Sequence, residues 1–226
     1  MGTLVLVRHA TTQASEEGTN LGQRTDAPLL TAGRELARRT GLALKAELES
    51  LPFGALQALT SPAARCRQTA SLILDTLGRP DARPAADPGL WEIDYGAWEG
   101  LSAEQCRRRD PELRARWEAD PYAVATPGGE SGADVAARAF AALRPTEEWL
   151  ESTPDAVALV VTHNHVVRLR LSAALGLPMA DYRRRVEAHP GAYSLITLTG
   201  ERTAVRRVNV LPRAEAGQVP GGPIPA

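Results

Sequence analysis

The sequence predicts a three-layer α/β/α sandwich with a mainly parallel central sheet and a small helical insertion. Three observations predict it. Short apolar runs at 3–7, 55–60 and 157–162 alternate with longer stretches of helical periodicity, the pattern of βα units around a parallel sheet. The runs at 3–7 and 157–162 are apolar on both faces, as buried parallel strands are. All three runs stop at polar residues, Arg8-His9, Ser61-Pro62 and His163, and open α/β sheets bind ligands at the carboxyl ends of their strands.

Taken in order, Thr3 to Val7 is the first strand, and a loop rich in Thr, Gly, Asn and Asp follows from Thr11 to Leu30. A helix starts near Thr31 as N-cap and carries Leu36, Leu44, Leu48 and Leu51 at helical spacing. Ala55 to Thr60 is the second strand and runs into Ser61-Pro62; Ser at the N-cap and Pro at the first helical position start a helix. Ala63, Cys66, Ala70, Ile73, Leu74 and Leu77 form its apolar stripe, and Gly78 ends it. Arg79 to Gly89 reads as loop with a short strand. Residues 90–129 hold Trp91, Trp98 and Trp117 among many charges and several Pro, and read as a helical excursion or lid. Ser131 to Leu143 is a helix opened by the box-like Ser131-x-x-Asp134, which Pro145 is expected to kink or restart. Val157 to Thr162 is the clearest strand; His163 follows, then a helix from Val166 to Leu175. Tyr193 to Leu198 and Ala204 to Val210 are the last two strands. The expected organisation is one domain over 1–211 and a loose Pro/Gly-rich tail over 212–226.

The 226 residues suffice for a sizeable core, and 43% hydrophobic with 23% charged residues is ordinary for a globular protein. A net charge of -1 gives no support for binding a polyanion such as nucleic acid. Lys45 is the only lysine; composition bias or thermal adaptation accounts for that as readily as a use of arginine for phosphate, which is argued site by site. Cys66 and Cys106 are too few for a disulfide framework or a structural zinc site and read as buried thiols. The sequence shows no export signal and no run of roughly 18 apolar residues, so the expectation is a cytoplasmic enzyme without membrane contact.

The residue types at the strand ends define a chemistry. Arg8, His9, Arg65 and His163 combine two permanent positive charges with two imidazoles. A guanidinium donates two parallel hydrogen bonds to phosphate oxygens. A helix N-terminus near Arg65 adds a favourable dipole. A neutral imidazole is a nucleophile near neutral pH. Phosphate-monoester hydrolysis is among the slowest uncatalysed reactions, with enzymatic accelerations up to about 10²¹-fold, so a nucleophile, charge stabilisation and a proton for the leaving group are all wanted. Glu92, among Trp91, Tyr95 and Trp98, is the candidate proton donor, because an apolar setting raises a carboxyl pKa.

Six segments carry a family resemblance. Leu6-Val7-Arg8-His9-Ala10-Thr11-Thr12 resembles the signature of the histidine phosphatase superfamily, the phosphoglycerate mutase-like proteins. Residues 60–70, TSPAARCRQTA, are similar to its second phosphate-binding motif, and 90–100, LWEIDYGAWEG, to its proton-donor segment. Pro127 to Ser131 resembles the loop before a long helix, and Val161-Thr162-His163 the second histidine; Gly22 to Leu29 resembles the loop after the nucleophile. The resemblance implies that His9 attacks phosphorus, that Arg8, Arg65 and His163 hold the phosphoryl oxygens, and that Glu92 protonates the leaving oxygen. It implies no metal and no cofactor. The implied partner is a small phosphorylated substrate, and a homodimer is compatible with the family.

Some positions depart from the pattern. Ala10 stands where Gly is frequent, Leu30 reads as an insertion, and Glu16 occupies the place of a common Asn, which either Asn20 or a remodelled loop replaces. Asn164 replaces a Gly, which a tight turn tolerates because Asn accepts the left-handed conformation. Arg24 is a further candidate for substrate binding from its loop. Glu99 is the rival of Glu92 and reads as structural; His165 reads as supporting or packing, and His189 carries no role. The rival functions are a phosphoglycerate mutase, a metallophosphoesterase using His163-Asn164-His165, and a non-catalytic binding module. The compact 101–129 stretch favours a phosphatase over a mutase.

Overall fold

The computed structural model describes residues 1–49, 54–200 and 202–212. Its six-stranded sheet has the order β3-β2-β4-β1-β5-β6. The strands are β1 (Gly2–Arg8), β2 (Leu56–Thr60), β3 (Ala85–Ala86), β4 (Val157–Thr162), β5 (Tyr193–Thr199) and β6 (Arg202–Val210). β1, β2, β3 and β4 are mutually parallel, while β5 runs antiparallel to β1 and to β6. The fold is therefore the predicted α/β class with a mostly parallel sheet.

Strand alternation sorts the core into two layers. On β1, Leu4 and Leu6 face one cluster and Val5 and Val7 the other; on β4, Ala158 and Val160 oppose Val157, Leu159 and Val161. The first layer receives α6 (Gly132–Ser152) and α7 (Asn164–Ala174) through Val135, Ala139, Leu143, Val166 and Leu169. The second receives α2 (Thr31–Glu49) and α3 (Ala64–Thr76) through Leu44, Leu48, Cys66, Ala70 and Ile73. A run apolar on both faces is thus a strand sandwiched between helices. Leu51 lies outside the described residues.

Several local expectations are corrected. The loop after His9 contains α1 (Gln13–Glu17), opened by a capping box between Thr12 and Ser15 and closed by Gly18 at φ 66°. α3 begins at Ala64, with Ala63 rather than Ser61 in the N-cap position; the N–H of Ala64 is taken by Asp26 Oδ1 at 2.7 Å. α6 runs through Pro145 without a break; burial of Leu143, Thr146 and Leu150 on either side outweighs the hydrogen bond that the proline forfeits. The helix after His163 starts two residues earlier than expected. The excursion contains α4 (Ala103–Arg109) and α5 (Pro111–Ala119), and α8 (Tyr182–Arg185) precedes β5. Most of the 212–226 tail lies outside the described residues.

The register places the chemistry. Arg8 pairs with Thr162, and Thr60 with Val161, so β1, β2 and β4 end side by side. His9 N–H extends the ladder by donating to Thr162 O at 2.9 Å. His9, Ser61 and His163 consequently emerge together at one edge of the sheet.

Candidate active site

Four of the residues singled out in the sequence converge at that edge. The rings of His9 and His163 lie 5.3 Å apart, edge to face, and both are buried. His9 Nδ1 is 2.8 Å from its neighbour's carbonyl, Ala10 O. A carbonyl only accepts, so Nδ1 carries the proton and Nε2 presents the lone pair. Burial, then the charges of Arg65 and Arg8, hold the His9 pKa well below the ordinary 6.5. His163 is depressed in the same way by burial and Arg65. Both imidazoles are neutral at neutral pH.

Arg65 enters from the second residue of α3 and is fully buried. Its Nη2 donates to Gly22 O at 2.9 Å, which pins the guanidinium to the loop after α1. Its Nε and Nη1 are buried with no partner, as is Nε of Arg8. Arg8 is oriented by a 2.7 Å bond from Nη1 to Ala188 O. An orphaned buried donor costs about 1–3 kcal/mol, more when charged. Donors left unpaired on two guanidiniums beside two neutral imidazoles mark a place made for an anion. Ala10 N–H donates to Thr69 Oγ1 at 3.1 Å, and that hydroxyl donates to Arg65 O at 2.7 Å, so β1's end and α3 are locked together.

Glu92 is buried on the other side. Its Oε1 accepts from Ile93 N (3.0 Å), His165 N (3.2 Å) and His165 Nδ1 (3.1 Å), and its Oε2 from Asn164 N (3.1 Å). The carboxylate sits on the first turn of α7, where free N–H groups favour negative charge. This corrects the expectation of a raised pKa. Burial does push the carboxyl up, but His165, then His163 and the N–H of Ile93, outweigh it and hold Glu92 well below its ordinary value. Asn164 is corrected too: it heads α7 in helical backbone rather than in a left-handed turn.

The backbone carrying Glu92 is held by a residue the sequence reading missed. Arg138 donates to Gly89 O (2.8 Å), Trp91 O (2.7 Å) and Glu92 O (2.9 Å), and forks onto Glu130 with Nε and Nη2 bonds of 2.8 Å each. Glu130 also accepts from Asp94 N at 2.9 Å. An arginine and a glutamate eight residues apart, flanking a helix start, were the available signal.

Ser61 was read as a helix cap; its Oγ does accept from Ala63 N at 3.3 Å, ahead of α3, but lies closer to His163, 2.7 Å from Nε2. Trp91, partly buried against the core, stacks on the His163 ring at 6.3 Å and 9°, while Trp98 is buried, as expected of core aromatics. Cys66 touches His163 Nε2 at 3.5 Å, and burial pushes its thiol up, so it is a packed thiol. Glu99 accepts from Gly22 N at 3.0 Å, a structural use.

Two further candidates lie elsewhere. Arg24 is half exposed and paired with Asp94 at 3.2 Å, not joined to Arg8 and Arg65. Asn20 donates to Trp98 O at 3.1 Å and ties the α1 loop to the excursion. His163 and His165 do not share a strand face: the first is the N-cap of α7 and meets Ser61, the second lies within the helix and meets Glu92. Among the described residues no three His, Cys, Asp or Glu side chains are grouped as metal ligands, and no helix is long and apolar enough to cross a membrane.

Comparison with known proteins agrees with this geometry. A 2,3-bisphosphoglycerate-dependent phosphoglycerate mutase of Mesorhizobium japonicum is 36% identical over 138 residues, 61% of this chain and 65% of the mutase, so the chain spans less than two thirds of that relative. The solved structure of Bacillus stearothermophilus YhfR superposes with a TM-score of 0.76 at 27% identity, covering 91% of this chain and 95% of that one. A putative alpha-ribazole-5'-P phosphatase of Escherichia coli K-12 shares the fold at a TM-score of 0.75 and 23% identity, over 92% and 96% of the two chains. The family model for the histidine phosphatase superfamily (branch 1) matches residues 4–211, from the strand that leads into His9 to the last strand of the sheet. Sheet order, strand-end histidines and matched span lead to one assignment: the chain belongs to the histidine phosphatase superfamily.

Proposed function

We propose that the protein is a phosphomonoesterase that hydrolyses a small phosphorylated metabolite through a phosphohistidine on His9, without a metal ion. The observation that carries this reading is the set of buried, unpartnered guanidinium nitrogens, Nε and Nη1 of Arg65 and Nε of Arg8, around the neutral His9 ring.

In this reading the phosphoryl oxygens accept from Arg8, Arg65 and His163. Those donors are fixed before substrate arrives, so they stabilise the charge of the transferring group without reorganising. His9 Nε2 attacks phosphorus; an N–P bond forms and the P–O bond to the leaving group breaks. Glu92 is ionised in the resting site, so its proton must arrive with the substrate. A phosphate monoanion supplies it, and the added negative charge raises the carboxyl's proton affinity. Glu92 then protonates the leaving oxygen. In the second half, water attacks phosphorus, gives its proton to Glu92, and the N–P bond breaks to release phosphate and restore His9.

The 36% identity to a phosphoglycerate mutase supports a second reading, in which the phosphohistidine returns its phosphoryl to a substrate hydroxyl. The deciding experiment measures phosphate release from p-nitrophenyl phosphate and from a panel including 3-phosphoglycerate, with EDTA present, for wild type and His9→Ala. Release that survives EDTA and disappears in the variant supports the phosphatase. Isomerisation of phosphoglycerate without release supports the mutase, and EDTA-sensitive release would overturn the metal-free route.

A further inference from the structure

Beside the phosphoryl site lies a second group of cations that the proposed chemistry does not use. Arg168 sits on α7, and Arg183 sits on α8. Arg168 Nη1 donates to Arg183 O at 3.3 Å, and the Arg183 guanidinium lies 4.4 Å above the Trp117 ring. Nε of each is buried and unpartnered. Among the described residues neither has a carboxylate within ion-pairing distance, whereas the neighbours Arg184 and Arg185 both pair with Asp181, and Arg170 with Glu147.

The surroundings supply no counter-charge. Tyr95 and Tyr182 flank the group, and burial pushes both phenols up, so they stay neutral. The Tyr182 hydroxyl is itself buried without a partner. Burial, then Arg183 and Arg8, lower Arg168 to about 10. Glu92 is the nearby acid, and its oxygens are already taken by four donors. Partly buried cations kept together without an anion are costly, and here the cost adjoins a ligand site. Arg8 lies between the two groups: its Nη1 bond to Ala188 O holds it against the segment that follows α8, and its charge lowers the pKa of both His9 and Arg168.

We infer that Arg168 and Arg183, with Arg8, form a second anion subsite, so that the preferred substrate is a phosphomonoester bearing a second acidic group. This deepens the phosphatase reading and rests on the phosphoryl group binding at Arg8 and Arg65. A carboxylate or a second phosphate satisfies the same donors in the same planar way.

The test separates binding from turnover. Calorimetry on the His9→Ala protein measures 3-phosphoglycerate, glycerol 3-phosphate, 1,3-propanediol bisphosphate and inorganic phosphate. The expected result is at least tenfold tighter binding of a two-anion ligand than of glycerol 3-phosphate. That preference falls tenfold or more in Arg183→Met and Arg168→Gln, with inorganic phosphate changed less than threefold. The arm that loses more names the second group, carboxylate or phosphate. No preference for two anions, or equal losses for all four ligands, overturns the subsite. Arg183→Lys, which keeps the charge over Trp117, retains part of the preference if Arg183→Met folds poorly. Absence of turnover in the wild type with the binding preference intact would instead count against hydrolysis alone.

Discussion

His165 Nδ1 lies 3.1 Å from Glu92 Oε1, and the backbone N–H of the same histidine meets the same oxygen at 3.2 Å. One residue thus contributes two of the donors that hold the carboxylate. Its ring is fully buried among Tyr95, Trp117 and Tyr182, so its position is set by packing. His165 is a positioning residue for Glu92. His165→Ala is expected to lower kcat for alkyl phosphates about tenfold, about 1.4 kcal/mol, and to shift the pH profile to higher values as the Glu92 carboxyl loses a donor. His165→Asn, which keeps a donor near Oε1, should recover part of both; a loss of kcat with an unmoved profile would mean a packing role only.

Glu92→Gln separates proton transfer from geometry. The amide oxygen can take the place of Oε1, but the NH2 then faces the N–H of Asn164, donor against donor. The variant is expected to fold with some loss of stability. A positioned general acid contributes about 10²–10⁴-fold, so alkyl phosphates should slow by that order. p-Nitrophenyl phosphate, whose leaving group needs little protonation, should slow much less. Equal slowing on both substrates would remove Glu92 from the acid role.

Ser61→Ala removes the 2.7 Å partner of His163 Nε2. The ring nitrogen is then left beside Cys66 Sγ at 3.5 Å, a weak partner. Chemical denaturation should show a loss of about 1–3 kcal/mol for the unsatisfied buried group. kcat/KM should fall about tenfold as the imidazole loses its fixed orientation. Ser61→Thr, which keeps the hydroxyl, is expected to retain more activity than Ser61→Ala.

Gly33 tests the coupling between α2 and the loop that follows His9. A Cβ there would stand 2.2 Å from Thr11 O, the same carbonyl that accepts from Leu30 N at 3.1 Å. Backbone cannot yield as a side chain does. Gly33→Ala is expected to cost about 1–3 kcal/mol by overpacking, read as a lowered Tm, and to reduce kcat because the residues displaced adjoin His9 and Ala10.

The parts of this site that were legible in sequence are those fixed by strand ends. Arg8, His9 and His163 follow apolar runs directly, and the parallel register Arg8 to Thr162 brings them together without further information. Arg65 was legible as an arginine of the segment 60–70 that resembles the second phosphate-binding motif. Long-range pairing was not legible. The proton affinity of Glu92 depends on donors from Asn164 and His165 more than seventy positions away, so its local aromatic neighbours suggested the wrong direction. Ser61 has the local chemistry of a cap, and only the arrival of His163 from β4 redirects its hydroxyl. Arg168 and Arg183 show what they lack only once neighbouring acids are placed. The α1 helix was hidden because Ser15, rather than Glu or Gln, completes the box with Thr12.

Three buried histidines with depressed pKa give the protein a defined pH response. His9, His163 and His165 stay neutral in the fold below the ordinary 6.5, each first because of burial. In the unfolded chain they take up protons as pH falls through 6.5, so the unfolded state binds more protons and stability falls with pH. Glu92, held below its ordinary 4.5 against the pull of burial by His165, contributes stability that is present above 4.5 and lost as pH falls through its folded value. The Tm is therefore expected to decline from about pH 6.5 downward, in two stages, and inorganic phosphate should oppose the decline by binding the native site. Activity follows a different course. Because His9, the proposed nucleophile, remains unprotonated below 6.5, kcat/KM should not fall with an acid midpoint there. It should fall on the alkaline side, from about pH 6, where the substrate phosphate loses the proton that Glu92 needs. An acid limb centred on 6.5 in kcat/KM would show that His9 titrates as an exposed imidazole, contrary to its burial between Arg8 and Arg65.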